Sequence, residues 1–303
     1  MLQALGRLYR PPPANEQTTY PSSNYQESGY HFARVALWAL SRVRVRLIAR
    51  SKHVSTLSAI ITTTGRSTLH EALDSVRGQT SPADEIIVVH DTPEPPALQE
   101  AGVRSIWTQG ASNACIARNR GVEAATSDFV AFLDDDDYWL ESHVACARRA
   151  IKESGAAVLC ASFWKRIGDN VQPEKTAPTS IDFNAFFCRN PGLRGSNLII
   201  EAATYLRVGG FDPSFPSQND LDLGIRLADH NVAYHGITER TVVFRQHEGP
   251  RLSTRGSTAN RNGVLAFWRR YSERMNHAEK EAYAAWVAGF WGFVDFPELA
   301  EKG

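Results

Sequence analysis

The sequence predicts an α/β fold: a central, mostly parallel sheet flanked by helices, with a helical extension at the C-terminal side. Two observations carry that expectation. Short runs rich in Ile and Val recur at Leu57–Ile61, Glu85–Val89 and Phe129–Leu133, and each halts abruptly in polar residues. Between them, apolar residues return at helical spacing, as at Leu69, Leu73 and Val76. Strands that lack alternating polar positions are covered on both faces, which is the habit of a parallel sheet under helices. Right-handed crossovers then follow from chain chirality.

In order along the chain, the first thirty residues are rich in Pro, Ser, Asn and Gln and read as an extended arm, because they cannot bury enough apolar area to offset chain entropy. The stretch Phe32 to Ile48 interleaves apolar residues with arginines. As a helix it is basic and amphipathic, suited to peripheral contact with a membrane face or a partner. The alternative is an element packed on the core with its arginines in water. Strand Leu57–Ile61 ends in Thr62-Thr63-Thr64-Gly65, and the helix after it closes at Gln79-Thr80-Ser81-Pro82. Strand Glu85–Val89 runs into His90-Asp91-Thr92-Pro93. Val103–Trp107 is a third strand, Ala114–Ala125 a helix, and Phe129–Leu133 a fourth strand that ends in Asp134-Asp135-Asp136-Asp137. A helix over Leu140–Glu153 and a strand over Ala157–Ser162 follow. Hairpin-like and loop-like signals over Asn170–Pro191 suit a second subsite. After Gly256 the pattern is helical, with Trp268, Tyr271, Trp286 and Trp291 expected as core cover. The domain reading is an N-terminal extension (1–54), two subdomains (55–160 and 161–256) and a C-terminal helical segment (257–303).

Composition narrows the function classes. Lys+Arg 33 against Asp+Glu 33 leaves no basic surplus for nucleic acid. The 43% hydrophobic and 22% charged residues are ordinary for a globular chain. Cys115, Cys146, Cys160 and Cys188 lie far apart without a Cys-x-x-Cys pair, which argues against a disulfide framework or a cysteine-rich zinc site. No apolar run approaches the roughly eighteen residues of a membrane span, and no secretory signal pattern opens the chain. A cytoplasmic protein is expected. Neither a P-loop nor a Gly-x-Gly-x-x-Gly follows the first strand, which disfavours a Walker-type or dinucleotide fold.

In an open parallel sheet, ligands gather beyond the carboxyl ends of the strands, so the loops at Thr62, Asp91 and Asp134 share one rim. Four consecutive aspartates on that rim repel one another unless a cation or proton neutralises them. A hard divalent ion suits carboxylate oxygens and substrate phosphates. The competing reading is a solvated acidic turn, with Asp137 or its neighbour capping the helix that begins near Leu140.

The runs LSAIITTTGR (57–66), SVRGQTSPADEIIVVHD (75–91), ARNRG (117–121) and FLDDDD (132–137), followed by GGFD (209–212), NDLDL (219–223) and Arg226-Leu227, resemble family 2 glycosyltransferases of the GT-A fold. The resemblance covers residues 55 to 255, and it implies that 55–160 is a nucleotide-sugar-binding subdomain and 161–256 an acceptor-binding and catalytic-base subdomain. It implies a metal-dependent, inverting, hexosyltransferase-type enzyme that moves a sugar from a nucleotide diphosphate donor, UDP-linked by expectation, to an acceptor hydroxyl, with Mn²⁺ or Mg²⁺ as cofactor. It also implies residue roles. Thr62, Thr64 and Asp91 fall at the nucleotide, Asp91 accepting from the uracil N–H, and Arg118 and Asn119 fall where the nucleotide is gripped. Asp136 matches the metal ligand and Asp134 or Asp135 the ribose contact, the frame being open by one position. Asp220 matches the general base, His247 a ligand near metal or diphosphate, and Arg251 and Ser253 reach the diphosphate from a loop. Asn219 stands where the family usually has Glu, Thr64-Gly65 where it has Tyr-Asn, and His90 where Asp is common. Two rivals stay open at this level, a non-catalytic nucleotide-sugar binder and a metal-dependent nucleotidyltransferase.

Overall fold

The computed structural model describes residues 54–96, 101–110, 113–181, 184–246 and 256–292. The predicted arm, the 32–48 stretch, His247, Arg251 and Ser253 lie outside the described residues.

Strands β1 (Leu57–Thr63), β2 (Glu85–His90), β3 (Arg104–Trp107) and β4 (Phe129–Asp134) form a parallel block in the order β3-β2-β1-β4. Every residue of β1 is buried, as its unbroken apolar pattern demands. Leu57, Ala59 and Ile61 share one core with Leu73 and Val76 of helix α1 (Leu69–Arg77) and Val144, Ala147 and Ile151 of helix α3 (His143–Ser154). Each of these larger side chains contributes on the order of 1.5–3 kcal/mol by leaving water. On the opposite face Ile60 meets helix α2 (Ala114–Ala124). A Cβ on Gly121 would overlap Ile60 there, so glycine sets how closely helix and sheet approach. Asn113 starts α2 by accepting from the backbone N–H groups of Cys115 and Ile116.

Beyond β4 the sheet becomes mixed. It continues β4-β8-β6-β9-β5 through β5 (Tyr138–Trp139), β6 (Val158–Ile167), β8 (Leu198–Glu201) and β9 (Tyr234–Gln246), with β7 (Asn170–Lys175) hairpinned onto β6. Strand β8 runs antiparallel to both β4 and β6, while β9 is parallel to β6. The parallel arrangement expected from the sequence therefore describes the first half, and this sheet with its flanking helices has the GT-A architecture. The helix expected from Leu140 begins at His143, because Tyr138 and Trp139 pair with Val243 and Val242 of β9. A two-residue strand carries no periodic signal.

The remaining helices are α4 (Ala185–Cys188), α5 (Ala202–Arg207), α6 (Asn219–Asp229), α7 (Thr258–Tyr271) and α8 (His277–Trp291). Ser257 caps α7 and a reciprocal Asn276/Glu279 box caps α8. Trp268 and Tyr271 are buried, and Phe267 stacks on Tyr283 with ring centroids 5.0 Å apart, so these aromatics cover the core as expected. Among the described residues no helix is long and apolar enough to cross a membrane.

Candidate functional site

Register brings the rim together. Thr62 lies opposite Asp134 across β1 and β4, and Thr63 lies opposite His90 across β1 and β2. The four aspartates then separate by environment. Asp135 turns inward, accepting from the Thr63 hydroxyl (2.6 Å), the Thr64 N–H (3.1 Å) and Arg66 (2.6 Å). At 1% exposure its carboxylate holds loop 63–66. Asp134 accepts from the Arg118 guanidinium at 2.6 Å and from the Thr62 hydroxyl at 3.2 Å.

Carboxylate oxygens of Asp134, Asp136 and Asp137 lie within 4.8 Å of one another. Asp137 is almost wholly buried, accepting from the Ser196 hydroxyl (2.6 Å) and the Arg245 backbone N–H (3.0 Å). Burial, and then the charges of Asp136 and Asp134, push its carboxyl well above the ordinary carboxylate range. A buried acid beside two others has to hold a proton or meet a cation. The donor set is all carboxylate oxygen, which suits a hard divalent ion. Asp137 is no helix cap: α3 starts six residues later, after Ser142.

On the other side of the site, Asp220 occupies the first turn of α6, which Gln218 enters in the left-handed conformation (φ 63°). The Asp220 carboxylate accepts from the Asn190 side-chain amide (2.5 Å) and the Leu221 N–H (3.0 Å). Burial raises its pKa, and the Arg194 charge opposes that rise. Proton acceptors are tuned in this direction, toward neutrality. Helix α6 is held by Asp222, fully buried, which accepts from Arg226 (2.5 Å) and from the Tyr271 hydroxyl (2.7 Å) of α7.

Other residues singled out by sequence have partners within the chain. The Asp91 carboxylate accepts from the Thr108 hydroxyl (2.6 Å) and the Asn113 N–H (2.8 Å), fixing the start of α2. Asn119 lies in α2, facing Tyr205 and Phe211. Its amide bonds the Phe211 carbonyl (2.8 Å) and accepts from the Tyr205 hydroxyl (2.5 Å), clamping the Gly209-Gly210-Phe211 turn. Thr64 is exposed on the loop that Asp135 holds. Sequence reasoning gave no role to Ser196, Asn190, Arg66 or Arg194. Each acts through a partner distant in the chain, and the Gly195-Ser196-Asn197 turn against Arg118 was the signal available.

Residues 58–205 match the family model described as Glycosyl transferase family 2. A curated relative, the O-antigen biosynthesis protein RfbC of Myxococcus xanthus, is 26% identical over 264 residues; the match covers 80% of this chain and 20% of that protein. Among solved structures, residues 1–349 of S. aureus TarS in complex with UDP-GlcNAc superpose with a TM-score of 0.58 at 17% identity, covering 82% of this chain and 76% of that one. The same TarS segment with UDP gives 0.54 at 17% identity, covering 82% and 75%. These likenesses show a shared fold.

Proposed function

Since residues 58–205 place this chain in glycosyltransferase family 2, we propose that it transfers a sugar from a UDP-sugar to an acceptor hydroxyl, with inversion and with a divalent cation. The observation that carries this reading is the convergence of Asp134, Asp136 and Asp137 at the end of β4, with Arg118 paired to Asp134 at 2.6 Å. The TarS structures with UDP-GlcNAc and UDP favour a UDP-linked donor. Asp134, Asp136 and Asp137 would hold Mn²⁺ or Mg²⁺, which neutralises charge on a departing diphosphate when bound.

The chain's own residues account for the rest. Asp220, ionised and oriented by Asn190, takes the proton of the acceptor hydroxyl. The hydroxyl oxygen attacks the anomeric carbon on the face opposite the leaving group, the bond from carbon to the diphosphate oxygen breaks, and its electron pair leaves with UDP. A single displacement of this kind inverts the centre. Arg118, buried and stacked on Phe211 with its guanidinium carbon 5.0 Å from the ring centroid, keeps Asp134 in place.

UDP release from a panel of UDP-sugars, with Mn²⁺, Mg²⁺ or a chelator, tests the proposal. Release is expected with a divalent ion only, and Asp136→Ala is expected to lose Mn²⁺-dependent UDP binding. Equal turnover under chelator refutes the metal. UDP and Mn²⁺ binding without turnover of any donor makes the chain a binder.

A further inference from the structure

Three cations lie on segments that flank Asn190, the partner of Asp220, and that the donor reading does not use. Lys175, the last residue of β7, donates its ammonium to the Asn190 carbonyl at 3.0 Å, and the side-chain amide of the same Asn190 holds Asp220 at 2.5 Å. Arg194 lies over the Phe163 and Phe244 rings, 5.0 and 5.2 Å from their centroids, and makes no ion pair with a described carboxylate. Arg189, just after α4, is exposed and likewise has no described carboxylate partner. The turn between them is shaped to bring Lys175 in. Gly192, at φ +139°, packs against the lysine stem, and its N–H is held by Asn190.

Asp220 and Glu174 supply two negative charges to these three cations, and like charges held close with an incomplete counter-charge cost free energy unless a ligand supplies the rest. Burial, and then Arg194 and Arg189, lower the pKa of Lys175, as expected of a cation crowded by others. Arg66 and Arg118 on the acidic rim, by contrast, are paired with Asp135 and Asp134. The donor diphosphate belongs with that rim, so the second cationic group is left for the acceptor.

We propose that the acceptor carries a phosphate beside the hydroxyl to be glycosylated, and that Lys175, Arg189 and Arg194 receive it. Arginine offers bidentate donors and lysine a point charge, which together match phosphate oxygens. The inference rests on the reading of Asp220 as the base.

Binding is measured by ligand-observed NMR in the presence of UDP and Mn²⁺, comparing glycerol 1-phosphate and glycerophosphoglycerol with glycerol. Vesicles of phosphatidylcholine with and without phosphatidic acid form a third arm. At least one phosphate form is expected to bind about tenfold tighter than its neutral counterpart, and the arm that responds identifies a monoester, a diester or a lipid headgroup. Arg194→Gln and Lys175→Gln are each expected to remove most of that preference while UDP affinity stays at wild-type level, which reports an intact fold. Equal binding of phosphorylated and neutral probes in every arm overturns the inference, as does a preference that survives both substitutions. Phosphate preference without turnover of any UDP-sugar breaks the transferase reading instead and leaves the anion site standing.

Discussion

Along the ends of β1 and β4, the acidic rim holds its cations in direct pairs: Arg66 with Asp135 and Arg118 with Asp134, both at 2.6 Å. Around β7 and the 189–194 segment, Lys175, Arg189 and Arg194 stand without a described carboxylate in ion-pair reach, and an aromatic shelf carries Arg194. The first region neutralises part of its charge within the chain, Arg66 also reaching Asp136 at 3.7 Å, and gathers Asp134, Asp136 and Asp137 oxygens within 4.8 Å of one another. The second leaves its positive charge for a ligand. A site that joins two substrates has to keep them distinct, and opposite local charge does so on a chain whose formal net charge is zero.

The contrast can be broken at the point where the two regions meet. Asp220→Asn should lower turnover by about 10²- to 10⁴-fold, the scale of a positioned base, while UDP affinity stays near wild type. Steady-state UDP release and UDP titration check this, and equal rates remove Asp220 from the reaction. Asp222→Ala leaves Arg226 and Tyr271 facing a lost buried partner and should cost about 3–5 kcal/mol in denaturant unfolding. Tyr271→Phe removes one hydrogen bond to that carboxylate and should cost less, about 1.5–3 kcal/mol. Gly210→Ala places a Cβ 2.7 Å from the Asn119 side-chain oxygen at a residue with φ +64°, and should cost about 1–3 kcal/mol.

The smallest expected effects concern protons. Burial raises the folded pKa of Asp220, so the acid limb of kcat/KM should lie above the ordinary aspartate value of about 3.9. The same direction fixes the sign for stability. An acid whose pKa rises on folding favours the fold below its unfolded value and loses that contribution as pH climbs through the folded value. Asp220→Asn should therefore melt no lower than wild type at pH 7. A clear drop in melting temperature would show that the carboxylate is held more strongly than its burial implies.

Much of the acidic region was legible because it is written contiguously. The fully buried β1 and the FVAFL run before Asp134 announce covered parallel strands, and the tetrad marks their rim. The Asn219-Asp220 pair likewise appears where α6 begins. Which oxygen does what was not legible. Asp135 and Asp136 are neighbours of the same chemistry, yet Thr63 and Arg66 draw one inward. Ser196 and Arg245, from distant segments, take Asp137 into the interior. Asn119 sits in a motif read as nucleotide contact, and Tyr205 and Phe211 turn it into a clamp.

The sequence by itself determined where strands and helices lie in the parallel half, the acidic rim and the position of Asp220, because periodicity and strand-end chemistry are local properties of the chain. Tertiary structure alone decided the pairing of β5 with β9, the division of labour among four like aspartates, and the meeting of Lys175, Arg189 and Arg194 beside Asn190. Those outcomes depend on hydrogen-bond partners and charges brought from remote segments, whose distances are set only when the sheet closes.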